Sequence, residues 1–476
     1  MTTYKTPGVY IEEISKLPPS VAPVDTAIPA FIGYTQKATD VVDDDLRLRP
    51  KRIESVVEYE EYFGGPQEET GLAVTIDERT TASPGHPAGT KPSVTLTNRS
   101  NHIMHYALQM FYANGGKSCY IISVGDYKAV ATDLDVAELT AGLEPLSKVD
   151  EPTLIVIPEA QALAAIADFA SLFDAALGQC DELKDRFAIM DVHGGAESLS
   201  DPDGDLIAAV GNFRNNGPNQ ALKYGAAYAP NLETTLDYAY SEGDVAVTHV
   251  VDGVPAGAAT PLNDAGLDNQ LKERAKAAIR AFPMVLPPSP AIAGIYAKVD
   301  ADRGVWKAPA NIGVVNVVKP TIEFSNTQND VMNVDPTAGK SVNAIRPFVG
   351  KGTLVWGART LAGNDNEWRY VPVRRFFNMV EESVKKATDQ FTFEPNDANT
   401  WVKVQATIEN FLTTQWRAGA LQGVKPEHAF YVEVGLGKTM TALDILEGRM
   451  IVEIGMAAVR PAEFIILRFS HKMAES

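Results

Sequence analysis

Short runs of β-branched and aromatic residues alternate along the chain with segments whose apolar residues recur at helical spacing. Strands are predicted at Ala27–Tyr34, Ser118–Val124, Thr153–Ile157, Phe187–Val192 and Tyr224–Tyr228. The segments between them, near residues 103–111, 159–177 and 205–213, are predicted as helices. Because strands that alternate with helices at this spacing are typical of a parallel sheet covered on both faces, we predict a doubly wound, mostly parallel α/β core over residues 25–340.

Two polar, glycine-rich stretches interrupt this alternation. Residues 70–100 are rich in Thr, Ser, Gly and Pro, which predicts a surface excursion with a hairpin between Leu72–Ile76 and Ser93–Thr97. Residues 231–283 contain one predicted helix near Leu271–Phe282. We interpret both stretches as surface segments inserted into the core.

Residues 341–455 combine helices with strands and are predicted as a second, α+β domain. An amphipathic helix is predicted over Arg374–Gln390, and Asp397 is placed to cap a second helix. Two strands, Ala429–Val434 and Arg449–Ile454, follow. The first helix also presents a row of charged residues that is expected to be exposed: Glu381, Glu382, Lys385, Lys386 and Asp389.

Both ends of the chain combine prolines with a short apolar run. Proline fixes φ and removes a backbone donor, so residues 1–24 are expected to be extended rather than helical. A last strand is predicted at Glu463–Phe469, after Pro461. An extended strand far from any hairpin turn needs a sheet edge, in its own domain or in another chain. We therefore predict linking arms at 1–24 and 456–476, with these arm residues: Val9, Tyr10, Ile11, Glu12, Phe464, Ile465, Ile466 and Leu467.

Composition excludes several classes of protein. The chain has 476 residues and a formal charge of −19, so nucleic acid is not expected as a partner. It has only two cysteines, which excludes a disulfide scaffold and fits a reducing compartment. Neither a secretory signal nor an apolar stretch of the ~20 residues that a membrane span needs is visible. We expect a protein made in cytoplasm, with no direct membrane insertion.

Candidate catalytic motifs are weak. Gly435–Thr439 is similar to the end of a phosphate loop, but Val432 occupies the position of that loop's first glycine. His102 and His105 share one face of a predicted helix, but no third metal ligand lies at a recognisable spacing. Cys119 lies within a predicted strand, where a small buried apolar residue is the expected role. No catalytic residue, metal ligand or cofactor is therefore predicted.

Several blocks of sequence are similar to those of one protein family and follow the family's order. These blocks are Thr6–Glu13, Thr26–Gly33, Pro287–Pro290, Ala293–Ala297, Asp302–Asn311, Asn343–Arg346, Trp356–Thr360 and Tyr370–Arg375. Together they resemble contractile tail sheath proteins, which occur in phage tails, R-type bacteriocins and extracellular contractile injection systems. One departure is Pro290, where the family usually has glycine.

This resemblance implies a structural protein rather than an enzyme, without a cofactor. Sheath subunits form stacked hexameric rings around an inner tube, and their terminal arms add strands to the sheets of neighbouring copies. The extended cylinder is metastable, and its contraction drives the tube into a target cell envelope. The implied partners are further copies of the chain, the tube protein, baseplate and terminator or cap proteins, with paralogous sheath proteins as further candidates. The charged row on the predicted helix at Arg374–Gln390 becomes a candidate for tube contact.

Two other classes stay open on the sequence alone. A nucleotide-dependent enzyme would use Gly435–Thr439 together with the α/β core. An acidic adhesin or binding module would account for the charge and the inserted segments, and it would form a monodisperse particle rather than long hollow tubes.

Overall fold

The computed structural model describes residues 21–80, 88–193, 205–323 and 325–466. The strands are β1 (Pro29–Thr35), β2 (Lys51–Ile53), β3 (Leu72–Arg79), β4 (Gly89–Leu96), β5 (Cys119–Asp126), β6 (Leu154–Val156), β7 (Phe187–Asp191), β8 (Gly225–Ala229), β9 (Leu232–Thr234), β10 (Ala246–Val251), β11 (Val254–Pro255), β12 (Thr260–Pro261), β13 (Met284–Leu286), β14 (Ile312–Gly313), β15 (Val317–Pro320), β16 (Val342–Phe348), β17 (Gly352–Val355), β18 (Phe430–Val434) and β19 (Val452–Met456).

The α-helices are α1 (Val56–Phe63), α2 (Met104–Ala113), α3 (Val136–Ala141), α4 (Leu143–Ser147), α5 (Ile166–Leu183), α6 (Asp205–Asn216), α7 (Asn269–Ala281), α8 (Ser289–Arg303), α9 (Asn326–Asn333), α10 (Val371–Thr388), α11 (Ala398–Arg417), α12 (Pro426–Ala429) and α13 (Ala442–Leu446). Within these described residues, none of the helices is both long and apolar enough to cross a membrane.

One large sheet forms the centre of the molecule, in the order β14-β17-β16-β8-β7-β6-β1-β5-β2. The inner strands from β16 through β8, β7, β6 and β1 to β5 pair in parallel. Antiparallel strands, β17 with β14 at one end and β2 at the other, complete the sheet. The fold is therefore mixed α/β, as the alternation of strands and helices predicted.

Successive residues of the inner strands lie in two different hydrophobic clusters. Phe31 of β1 packs in the cluster that contains α2 and α8, with Phe111 and Tyr296 among its members. Its neighbour Ile32 packs in the cluster that contains α5, with Phe169. Because both faces of the sheet are covered, these strands are apolar at nearly every position.

The two predicted insertions join in a single small sheet. β3 and β4 form the predicted antiparallel hairpin, with Leu72 opposite Leu96. β10, from the second insertion, pairs in parallel with β3, and the sheet order is β11-β10-β3-β4 with β12 also on β10. Helix α7 and β3 pack in one hydrophobic cluster, in which Ile279 of α7 and Val74 of β3 are buried. Segments far apart in sequence thus build one surface layer.

The chain divides into two compact units. Of the described residues, the core unit contains 25–379 and 460–466 with their gaps, and the C-terminal unit contains 21–24 and 380–459. The division falls inside α10, whereas the sequence suggested residues 340/341. The difference arises because β16 pairs with β8 and so extends the large sheet of the core unit.

Helix α11 and the antiparallel pair β18–β19 form the C-terminal unit's folded centre. Asp397 caps α11 as predicted, since its carboxylate accepts the backbone N–H groups of Asn399 and Thr400 at 2.9 and 3.0 Å. Within the sheet, Val432 pairs with Ile454. Val432 and Val434 are buried and the residues between and beside them are more exposed, so β18 has one buried face.

Candidate interaction surfaces

The N-terminal arm is described only from its last residues. Val9, Tyr10, Ile11 and Glu12 lie outside the described residues. Within the C-terminal unit, the backbone N–H of Val24 donates to Ser383 Oγ at 3.1 Å. The arm prediction for residues 9–12 therefore stays a prediction.

The C-terminal arm exposes three consecutive large apolar side chains. Phe464, Ile465 and Ile466 are 70%, 78% and 77% exposed. No strand forms between residues 461 and 466, and Leu467 lies outside the described residues. The prediction that a strand begins at Glu463 is wrong for a single copy. The physical reason is that an extended segment forms a ladder only beside a partner strand.

Strands β18 and β19 each have an outer edge that no other strand of the described residues covers. Each contains five residues without lysine or proline, and in the described residues each pairs only with the other. Other edge strands of the described chain have three residues or fewer, or carry residues that discourage pairing. Such residues are Lys91 and Pro92 in β4, and Lys319 and Pro320 in β15. The pair β18–β19 is therefore the edge best suited to accept another strand.

The charged row on α10 is only partly as predicted. Glu381, Lys385, Lys386 and Asp389 are exposed, but the Glu382 side chain is only 7% exposed. Its carboxylate oxygen Oε2 accepts the ammonium group of Lys385 at 3.1 Å, and its Oε1 lies 3.4 Å from the ammonium group of Lys386. Position 382 follows the buried Asn378 by one helical turn and therefore belongs to the buried face of α10. Glu382 is removed from the candidate tube-facing row.

The Gly435–Thr439 turn uses its backbone amides internally. The carbonyl oxygen of Gly435 accepts the N–H groups of Lys438 and Thr439 at 3.2 and 3.1 Å. The N–H of Gly435 donates to Thr439 Oγ1 at 3.2 Å, and that hydroxyl donates to the carbonyl of Ile451 at 2.7 Å. A phosphate loop needs these amides directed at its ligand. The turn instead connects β18 to the segment that precedes β19.

The histidines and the cysteine considered as candidate chemistry have separate structural partners. His102 Nδ1 lies 2.6 Å from Gln67 Oε1, whereas His105 Nε2 lies 2.8 Å from Glu60 Oε1. The two rings therefore bond to different groups rather than to a common centre. Cys119 is fully buried, and this burial raises the pKa of its thiol to about 12. A thiol held in its neutral form is a poor nucleophile.

Two buried arginines that sequence reasoning did not single out hold the chain near its ends. Arg359 Nη2 contacts Glu463 Oε2 at 2.6 Å, and Arg375 Nη2 contacts Asp300 Oδ2 at 2.5 Å. Arg375 also donates to the carbonyl oxygen of Thr26 at 2.7 Å. Both arginines could have been found in the sequence, because they lie in the blocks Trp356–Thr360 and Tyr370–Arg375 that carry the family resemblance.

Comparisons with known proteins agree with one another. Residues 363–472 match the phage tail sheath C-terminal domain. The chain is 28% identical over 112 residues to the tail sheath protein of Enterobacteria phage T4, a match that covers 23% of this chain and spans only 16% of that protein's length.

Two solved sheaths match over the whole chain. The first is the PVC sheath complex of an extracellular contractile injection system in its contracted state, with 29% identity, a TM-score of 0.64 and 99% of each chain covered. The second is the helical sheath of the anti-feeding prophage in its contracted state, with 30% identity, a TM-score of 0.63, and 99% of this chain and 100% of that chain covered. The chain therefore belongs to the family of contractile tail sheath proteins and is a structural subunit of a contractile sheath.

Proposed function

We propose that this chain polymerises as stacked hexameric rings around an inner tube and drives the tube into a target cell envelope by contracting from a metastable extended state. Its partners are further copies of itself, the tube protein, a baseplate and terminator or cap proteins, with paralogous sheath subunits as further candidates. It is made in the bacterial cytoplasm and acts in a phage tail or tail-like particle. No catalytic step or cofactor is part of this role.

Two observations carry this proposal: the exposed run Phe464–Ile466, and the outer edges of β18 and β19, which no other strand of the described residues covers. Ordering an arm costs ~1–2 kcal/mol for each residue. Strand pairing returns ~0.5–1.5 kcal/mol for each hydrogen bond, and each large apolar side chain that becomes buried adds ~1.5–3 kcal/mol. One arm therefore gains little alone, but many arms stabilise a polymer.

The arms connect copies while leaving the folded units free to reorient. We assign β18 and β19 as the acceptor edges and residues 9–12 and 464–467 as the donated segments. Main-chain hydrogen bonds of an added strand persist while the linking residues bend. A doubly wound core, supported by the two covered faces of the parallel strands, serves as the rigid body that each copy moves. The sheet built from the two insertions decorates the outer surface.

Removal of one arm tests the proposal. A chain that lacks residues 1–20 should be folded and soluble but should form no long sheaths in negative-stain micrographs. The variant Ile465→Glu should have the same effect, because it places a charge in the donated strand. Val349→Glu is the matched control, since Val349 is fully exposed in the turn between β16 and β17. Long sheaths of the truncated chain would overturn the proposal.

A further inference from the structure

The chain passes between its two units three times, at 24/25, 379/380 and 459/460. Near each passage, one residue of the core unit takes part in a buried or half-buried polar cluster. Thr26 follows the first passage, Arg375 precedes the second and Glu463 follows the third. The clusters therefore lie where the chain leaves the core unit for the arms and for the C-terminal unit.

The first cluster joins α10 and α8 to Thr26, which lies just before β1. Arg375 makes a two-pronged contact with Asp300, with Nη1–Oδ1 and Nη2–Oδ2 distances of 3.0 and 2.5 Å. Thr26 Oγ1 donates to the same carboxylate at 2.5 Å, and its carbonyl accepts from Arg375. The side chains of Arg375 and Asp300 are 3% and 6% exposed. This cluster fixes the residue at which the N-terminal arm meets the core unit.

The second cluster holds the root of the C-terminal arm. Arg359 donates from Nε to Glu463 Oε1 at 2.9 Å and from Nη2 to Oε2 at 2.6 Å. Tyr370 Oη donates to Oε2 at 3.1 Å, and Asn333 Nδ2 donates to Oε1 at 2.7 Å. Both carboxylate oxygens are therefore satisfied by core-unit donors, one residue before the exposed Phe464.

One short part of the chain supplies the arginine of each cluster. Arg359 and Tyr370 are joined by a β-bridge, and Arg375 lies in the first turns of α10 that follow. A buried ion pair is weak evidence of stabilisation, because apolar replacements are often as stable. Its two-pronged geometry, however, fixes position and direction. These pairs are therefore better explained by positioning than by stability.

We infer that the Arg359–Glu463 and Arg375–Asp300–Thr26 clusters form a clamp that fixes the roots of both arms, so that tension between neighbouring copies enters the core through residues 359–375. This inference rests on the proposed strand exchange. Glu463 is the positioning residue of the C-terminal arm, since its contacts fix the point at which the exposed segment Phe464–Ile466 leaves the core unit. A slip of one residue would turn each side chain of the donated strand to the opposite face.

The test uses full-length sheaths isolated from cells and measures their lengths by negative stain before and after shear. The variants are Glu463→Gln, Arg359→Gln and the double variant. Each should assemble, but shear should shorten its sheaths several-fold more than it shortens the wild type. The double variant should be no worse than either single variant, because both remove the same contact. Glu144→Gln, which breaks an exposed ion pair with Lys148, should behave as the wild type.

Two controls separate the possible failures. Leu172→Ala, in the buried core, lowers the melting temperature without touching the clamp and should leave sheath length after shear unchanged. Shortening of Leu172→Ala sheaths to the same degree, or wild-type lengths for Glu463→Gln, would overturn the clamp. A chain that ends at residue 463 should form no long sheaths. Normal sheaths from that truncated chain would instead overturn strand exchange itself.

Discussion

The carboxyl group of Glu159 accepts the backbone N–H of Tyr34 at 2.9 Å, at the carboxyl end of β1. It also accepts the N–H of Ile103, just before α2, at 3.1 Å. β1 has β5 on one side and β6 on the other, so the strand order reverses here, where open α/β sheets commonly bind ligands. In this protein the side chain of Glu159 occupies the position at which such a ligand would bind. This arrangement suits a structural rather than a catalytic use of the fold.

Replacement of Glu159 by glutamine should flatten the pH dependence of stability. Burial raises the pKa of Glu159 to about 8, although hydrogen bonds from the backbone of Tyr34, Ile103 and Met104 act to lower it. Between pH ~4.3 and 8 the unfolded chain loses a proton that the folded chain keeps, so the free energy of unfolding falls as pH rises. Urea unfolding at several pH values should show a smaller decline for Glu159→Gln. An unchanged slope, equal to that of Glu144→Gln, would contradict this assignment.

Substitution of Gly33 tests the close packing around Glu159, and substitution of Gly178 is its control. A Cβ at Gly33 would lie 2.6 Å from Met104 Cε and 2.7 Å from Glu159 Oε2, so Gly33→Ala should cost ~1–3 kcal/mol of unfolding free energy. Gly178 lies within α5, and a Cβ there would meet no atom within 4 Å. Gly178→Ala should therefore stabilise the protein by ~0.5–1 kcal/mol. Urea unfolding measures both, and equal effects of the same sign would refute the close contact at Gly33.

Lys438→Ala should leave nucleotide turnover unchanged. The amides around Lys438 are used within their own turn, so no phosphate cradle is available at Gly435–Thr439. Purified wild type and variant should both hydrolyse ATP only at the background rate of a buffer control. Turnover that depends on the lysine would revive the enzyme interpretation.

The remaining charged row on α10 can be tested for tube contact. Lys385 and Lys386 are 63% and 43% exposed, and both lie beside the carboxylate of Glu382. If Glu381, Lys385, Lys386 and Asp389 face the tube, the double variant Lys385→Glu/Lys386→Glu should reduce co-sedimentation of tube with sheath.

Lys403→Glu is the control for this reversal, because Lys403 is an exposed residue of α11 in the same unit. Circular dichroism should confirm that each variant is folded. Unchanged co-sedimentation of the double variant would identify the row as an ordinary solvated helix face.

The sequence predicted the elements well where local periodicity determines them, as for β1 and α11. It did not predict that residues 70–100 and 231–283 share one sheet, because the pairing of β3 with β10 is not encoded in either strand alone. It also missed the Arg359–Glu463 contact, whose partners are 104 residues apart. Glu382 was misplaced because helical spacing does not reveal how far the buried face of α10 extends.

Acid should release the root of the C-terminal arm. Burial would raise the pKa of Glu463, but hydrogen bonds and charge from Arg359, with help from Asn333 and Tyr370, hold it below its usual value. Its contribution to stability is therefore complete above pH ~4.3 and is lost as pH falls through the lower folded value. Urea unfolding of the wild type should show a free energy of unfolding that decreases as the pH falls below ~4. In Glu463→Gln this decrease should be smaller, and an equal decrease in both proteins would show that the carboxylate does not hold the arm.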